Sequence, residues 1–136
     1  PGLRQEALAY ALAGPLRPQE ALMIPFATSI EPVQAGARGG GGQYSDETVR
    51  WMFEHFDALR AKLPPNFASR IVGLANGCSD ERQTAIRSFF DDPAHKILGG
   101  EATIGRLNEA IRECASLHER ENERAERWLM ERVMRP

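Results

Sequence analysis

The sequence is poor in the residues that commonly build metal sites and disulfide frameworks. It has two cysteines and three histidines among its 136 residues. It also lacks any apolar run close to the roughly 20 residues that a membrane-spanning helix needs. Its formal net charge of −2 provides no basic field to attract nucleic acid or anionic lipid. We therefore expect neither a nucleic-acid partner nor a membrane span.

The remaining composition is that of an ordinary globular domain. Hydrophobic residues make up 42% of the chain and charged residues 26%, which is normal for a folded protein. The chain begins Pro1-Gly2-Leu3, without a Met, and a helical pattern starts at once. We therefore expect residues 1–136 to be a single helical domain excised from a longer polypeptide, and the sequence predicts no compartment for it.

Apolar residues recur at helical spacing through nearly the whole chain, and no segment alternates as a strand does. Phe56 stands in the middle of the most regular stripe, so we expect it in the core. Short connections favour antiparallel helix pairs, which can close into a bundle or stack as an α-solenoid. The sequence thus predicts an all-α fold of about seven helices, with stripes over residues 3–12, 22–26, 49–63, 67–78, 86–90, 104–117 and 125–133.

Helix boundaries are marked by serine, proline and glycine. Ser45 and Ser79 are each followed by two acidic residues, so both are predicted N-caps. Pro25 should end or kink its helix. Residues 28–44 contain the run Gly39 to Gly42 and are predicted to form a flexible loop. This run is no phosphate-binding loop, because it lacks a G-K-[ST] ending and no strand precedes it.

The two cysteines, Cys78 and Cys114, both fall on predicted apolar helix faces. The burial habit of free cysteine favours two small buried side chains. The alternative is a disulfide between neighbouring helices, which would imply an oxidising compartment. A zinc site is not expected, because no second ligand stands at a suitable spacing from either cysteine.

The most suggestive catalytic motif is His118-Glu119-Arg120-Glu121-Asn122. Zinc peptidases use H-E-x-x-H, in which two histidines one turn apart bind the metal and the glutamate activates water. Here Asn122 occupies the second histidine position, so a solvated helix face is predicted instead. His55 and His95 have no nearby partner and are expected at the surface or at helix ends. The sequence therefore predicts no catalytic, cofactor-binding or metal-binding residue.

Several segments, in order, resemble the C-terminal helical domain of M1 zinc aminopeptidases of the alanyl and puromycin-sensitive type. Residues 51–63 (WMFEHFDALRAKL) are similar to the family's "aromatic, x4, aromatic, D/E-x-L" helix, and residues 67–74 (FASRIVGL) to its F-x-x-S-R-[IL]-[IV]-x-L run. The resemblance departs from the family near Ser45, where many members carry Gly-Arg. The remaining similar segments are residues 4–12 with 16–20, residues 78–81 with Phe89-Phe90, and residues 107–114.

The resemblance implies a non-catalytic superhelix of antiparallel helix pairs, similar to HEAT or armadillo stacking. Such a domain caps the zinc site of a catalytic domain in the same chain and shapes the access of peptide substrates. The zinc ligands and the G-x-M-E-N motif would then lie upstream, because none of them is present here. Beside the core stripes, Arg50, Arg70 and Arg106 are candidates for lining the peptide chamber, and Trp51, which lies off its stripe, for an interdomain contact.

Two other functions stay open on the sequence. The chain could be a free-standing helical-repeat module that binds another protein. It could also be a small helical enzyme with an unrecognised site. An H-E-x-x-H motif upstream of Pro1 would favour the aminopeptidase domain over the protein-binding module. A hydrolysis assay on the purified chain would test whether it is a small enzyme.

Overall fold

The computed structural model describes residues 2–29 and 45–133. Within these ranges the chain is all-α, as predicted, and contains no strand. The superhelical stacking of its helix pairs stays a prediction. The helices are α1 (Leu3–Ala13), α2 (Pro18–Ser29), α3 (Asp46–Glu54), α4 (Phe56–Lys62), a long 3-10 helix (Pro65–Ala75), α5 (Asp80–Asp91), a short 3-10 helix (Pro93–His95) and α6 (Glu101–Val133).

The helix boundaries differ from the prediction in three places. The helix expected over residues 45–63 is divided at His55, which ends α3 and precedes α4. The stripe over residues 67–78 forms a 3-10 helix that ends at Ala75. The last two predicted helices are one, because α6 runs unbroken for 33 residues and its sequence contains no proline to interrupt it.

The helices α1 and α2 form a hairpin, in which α1 contacts α4 and α2 contacts α3 and the long 3-10 helix. The ammonium of Lys62 closes the end of α1 by donating to the backbone oxygens of Leu12, at 2.7 Å, and Gly14, at 2.9 Å. Pro25 does not end α2, which continues to Ser29. Most of the loop predicted over residues 28–44 lies outside the described residues.

The core is built around Phe56, which is 1% exposed, as its stripe predicted. Edge-to-face contacts join its ring to those of Phe89, Phe90 and His95. The His95 ring also stacks on Phe89 with the ring centroids 3.8 Å apart, and its Nδ1 lies 2.9 Å from the Phe89 backbone oxygen. His95 therefore lies at a helix end, as expected, but is half-buried among aromatic rings and belongs partly to the core.

Arg82 is a buried cation that joins three elements. It is 9% exposed, and its guanidinium donates to the backbone oxygens of Ala75, at 3.4 Å, and Asn76, at 2.9 Å. It also pairs with Asp46 at the start of α3. Gly77 lies against the Arg82 side chain, and a Cβ atom at this position would come within 2.8 Å of the Arg82 Cγ atom. The close approach of backbone to side chain explains the glycine.

Cys78 and Cys114 form a disulfide, so the preference for two free buried cysteines was wrong. Cys78 lies beyond the end of the 3-10 helix, in the turn before α5, and not on a helix face. This turn brings its Cα atom within 5.0 Å of the Cα of Cys114 on α6, a separation that a disulfide spans readily. The sequence could not place that turn, and the burial habit of cysteine misled the prediction.

The second half of α6 extends away from the rest of the domain. Every residue from 116 to 133 is exposed, which corresponds to about 27 Å of helix at 1.5 Å per residue. The stripe expected to face inward at Leu117 does not, because that side chain is 52% exposed. Large apolar side chains in this exposed half are Leu117, Trp128, Leu129, Met130 and Val133. No described helix, α6 included, has the length and apolar character to cross a membrane.

Candidate functional site

A cleft of about 540 Å³ lies between α1 and α3. Its apolar floor comes from Leu8, Ala9 and Leu12 of α1 and from Trp51 of α3. Polar side chains surround this floor. They are Gln5, Glu47, Arg50, Glu54 and His55.

The start of α3 fixes the position of these side chains. The Ser45 hydroxyl accepts a hydrogen bond from the Thr48 backbone N–H at 3.2 Å, as its predicted N-cap role requires. Trp51 and His55 lie one and two turns after Glu47, so all three face α1. Glu47 binds α1 directly, through Arg4 at 3.4 Å and the amide of Gln5 at 3.2 Å. These contacts hold the two walls of the cleft together.

The wall formed by α3 combines an aromatic pair with two unpaired charges. The rings of Trp51 and His55 meet edge to face with their centroids 5.4 Å apart, and both residues are half-buried. Arg50 and Glu54 are exposed and make no ion pair with any other described residue. The cleft therefore offers an apolar surface beside one positive and one negative group, and each group can meet an opposite charge on a ligand.

The cleft joins two of the residues selected from sequence and excludes the other two. Arg50 and Trp51 line it together. Arg70 lies on the long 3-10 helix, where its guanidinium covers the Phe67 ring at 4.7 Å. Arg106 is exposed on α6, where its guanidinium donates to the Thr103 hydroxyl at 3.5 Å. A shared surface for all three arginines is therefore not found at this cleft, and their role in lining a chamber stays a prediction.

The motif that resembled a zinc-peptidase helix lies on the exposed half of α6. His118 and Asn122 hydrogen-bond to each other, with 3.2 Å between the His118 Nδ1 and Asn122 Nδ2 atoms. Their exposure agrees with the predicted solvated face. Across residues 2–29 and 45–133, no three potential metal ligands come together.

Sequence reasoning missed the α1 wall of the cleft. The contact between Arg4 and Glu47 joins residues 43 positions apart, and a local pattern contains no signal for such a pairing. One signal did exist in α3, because Trp51 lies off the main apolar stripe. An aromatic residue in that position indicates a second surface outside the core, and Trp51 lines the cleft together with residues of α1.

No protein-family model, curated protein or solved structure matches this chain. The likeness to M1 aminopeptidases therefore depends on the ordered sequence segments alone.

Proposed function

We propose that this chain is a non-catalytic helical domain of an M1 zinc aminopeptidase, in which it caps the catalytic domain and shapes peptide access. The observation that carries the proposal is the series of M1-like segments, which runs in order along nearly the whole chain. The all-α fold is compatible with it. The zinc and its ligands would belong to the catalytic domain of the same polypeptide, and this chain would supply no catalytic residue.

The cleft between α1 and α3 supports a role in contacting peptide or a neighbouring domain. Its apolar floor can take a side chain, while Arg50 and Glu54 can pair with charged groups next to it. Such contacts act on binding and positioning and not on the chemistry at the metal. An accessory surface of this kind alters which peptides are processed.

The test is a kinetic comparison in the intact enzyme. Arg50→Ala should lower kcat/KM for a long peptide by about 10-fold, the loss expected for one charged contact of about 1.4 kcal/mol. Turnover of a single-residue reporter should stay within about 2-fold, because a remote contact does not change the zinc chemistry. Arg87→Ala is the matched control, since Arg87 is exposed on α5 and lies outside the cleft. Equal losses on both substrates, or none on either, would reject the role of Arg50.

A second function is favoured by a different surface. The exposed apolar residues on the last turns of α6, including Trp128 and Leu129, are typical of a protein-binding helix. A free-standing helical module that binds another protein would use them directly. Only the aminopeptidase proposal requires a zinc peptidase domain in the same polypeptide, and this requirement separates it from the protein-binding module.

A further inference from the structure

The disulfide between Cys78 and Cys114 lies where α6 leaves the body of the domain. Cys114 and Ala115 are half-buried, and every residue from 116 to 133 is exposed. The bridge therefore joins the last packed turn of α6 to the turn that precedes α5. Beyond this bridge α6 packs against nothing else in the described chain.

Apart from the bridge, α6 is held by its first half, which packs against α5 and the long 3-10 helix. Ile111 is its one fully buried side chain, while Ile104 and Leu107 are half-buried. The amide of Gln83 on α5 donates to the Asn108 backbone oxygen at 3.0 Å. The Asn108 side-chain oxygen is buried and accepts no hydrogen bond from the described residues, which weakens the packing. The packed half of α6 thus has one fully buried apolar side chain, two half-buried ones and an unfavourable buried polar group.

The other core elements do not depend on α6 to the same extent. Buried side chains from α3, α4, the long 3-10 helix and α5 form one cluster, to which α6 adds Ile111. Arg82 joins three of these elements through its hydrogen bonds to Asp46, Ala75 and Asn76. Local opening of α6 is therefore separable from unfolding of the whole domain.

We propose that the Cys78–Cys114 disulfide is a redox-sensitive latch that holds α6 on the body of the domain. A cellular dithiol is the reductant. One of its thiolates attacks a sulfur of the bridge, forms a mixed disulfide and releases the other cysteine as a thiolate. The second thiol of the reductant then displaces the remaining cysteine. In total, two electrons and two protons pass from the reductant to the protein. The products are two protein thiols and the disulfide form of the reductant. This latch does not rest on the proposed function.

Reduction removes the covalent link and leaves α6 attached only through the packing of its first half against α5 and the long 3-10 helix. The exposed half gains nothing from packing, which is the main source of helix stability in folded proteins. The reduced chain should therefore open at α6 while the aromatic core around Phe56 stays closed. Opening would expose the buried Ile111 face, in addition to the apolar side chains of residues 116–133 that are already exposed.

The test is amide hydrogen exchange on the full chain, oxidised and then reduced with a dithiol. Amides in residues 105–115 should exchange at least about 10-fold faster after reduction, while those of α3 and α5 change by less than about 2-fold. Re-oxidation should restore the original protection. Unchanged exchange in residues 105–115, or faster exchange throughout all helices together, would overturn the latch.

Two variants separate the link from ordinary packing. The double variant Cys78→Ser, Cys114→Ser should show the hydrogen-exchange pattern of the reduced chain without any reductant. Global unfolding of this double variant would overturn the proposal. Ile111→Ala keeps the disulfide but removes the one buried α6 side chain. In the oxidised state its residues 105–115 should remain better protected than those of the reduced native chain. Equal or weaker protection would show that packing, not the bridge, holds α6.

Discussion

Arg82 gives the sharpest test of how the domain is held together. Its guanidinium, 9% exposed, joins α5 to Asp46 on α3 and to two backbone oxygens at the end of the long 3-10 helix. Substitution by Met keeps an unbranched side chain but removes these contacts. A hydrogen bond to a charged group contributes about 1.5–3 kcal/mol, and a buried acceptor left unpaired is costly.

The separate contributions can be estimated from exposure. Asp46 is 86% exposed, so the ion pair itself should contribute less than about 1 kcal/mol. The hydrogen bonds to the oxygens of Ala75 and Asn76 should then contribute more than the ion pair. The Met variant avoids the desolvation cost of burying the guanidinium, and this gain offsets part of the lost hydrogen-bond energy. We expect Arg82→Met to lower the free energy of unfolding by about 2–3 kcal/mol and Asp46→Asn by less than about 1 kcal/mol.

The assay is urea unfolding followed by far-ultraviolet circular dichroism, with the slope of the transition compared between variants. Arg82→Lys should fall between the native chain and Arg82→Met, because one ammonium lacks the planar fork that meets several acceptors. If Arg82→Met costs less than about 0.5 kcal/mol, Arg82 behaves as an ordinary surface residue and the reasoning fails. It also fails if Asp46→Asn costs as much as Arg82→Met.

Three further predictions concern the core, the end of α1 and metal binding. Phe56→Ala should cost about 3–5 kcal/mol in urea unfolding, because its ring is fully buried; a loss below about 1 kcal/mol would contradict its core position. Lys62→Met should cost about 1–2 kcal/mol by removing the two hydrogen bonds that close α1, whereas Lys96→Met, at an exposed position, should change little; equal effects would refute the capping role. The isolated chain should hold no stoichiometric zinc after dialysis and should not hydrolyse aminoacyl reporters, since Asn122 replaces the second histidine of H-E-x-x-H; elemental analysis that finds one zinc per chain would refute this.

Local patterns predicted the features that depend on a few neighbouring residues. The stripe through Phe56 identified the centre of the core, because helical spacing alone decides which side chains share a face. Ser45 and Ser79 were identified as N-caps, and each hydroxyl accepts from the backbone N–H three residues later. Such contacts lie within one turn, so the sequence contains both partners side by side.

Features that depend on distant partners could not be predicted in this way. The pairing of Cys78 with Cys114 requires the turn before α5 to meet α6, 36 residues away. The α1 wall of the cleft requires Arg4 to reach Glu47, and no periodicity connects them. The break at His55 leaves the apolar stripe over residues 49–63 almost unchanged. The 3-10 helix over Pro65–Ala75 likewise keeps most of the stripe that begins at residue 67. The stripe therefore identified the buried face but not the type of helix.

The most direct measurement of the central claim is the activity of the polypeptide encoded by the whole reading frame that contains this chain. If the domain caps an M1 aminopeptidase, the frame will encode H-E-x-x-H upstream of Pro1, and its product will bind zinc and remove N-terminal residues. Deleting residues 1–136 should then change the preference among long peptides more than the turnover of a single-residue reporter. A frame without an upstream H-E-x-x-H, or a product without zinc-dependent aminopeptidase activity, would contradict the account.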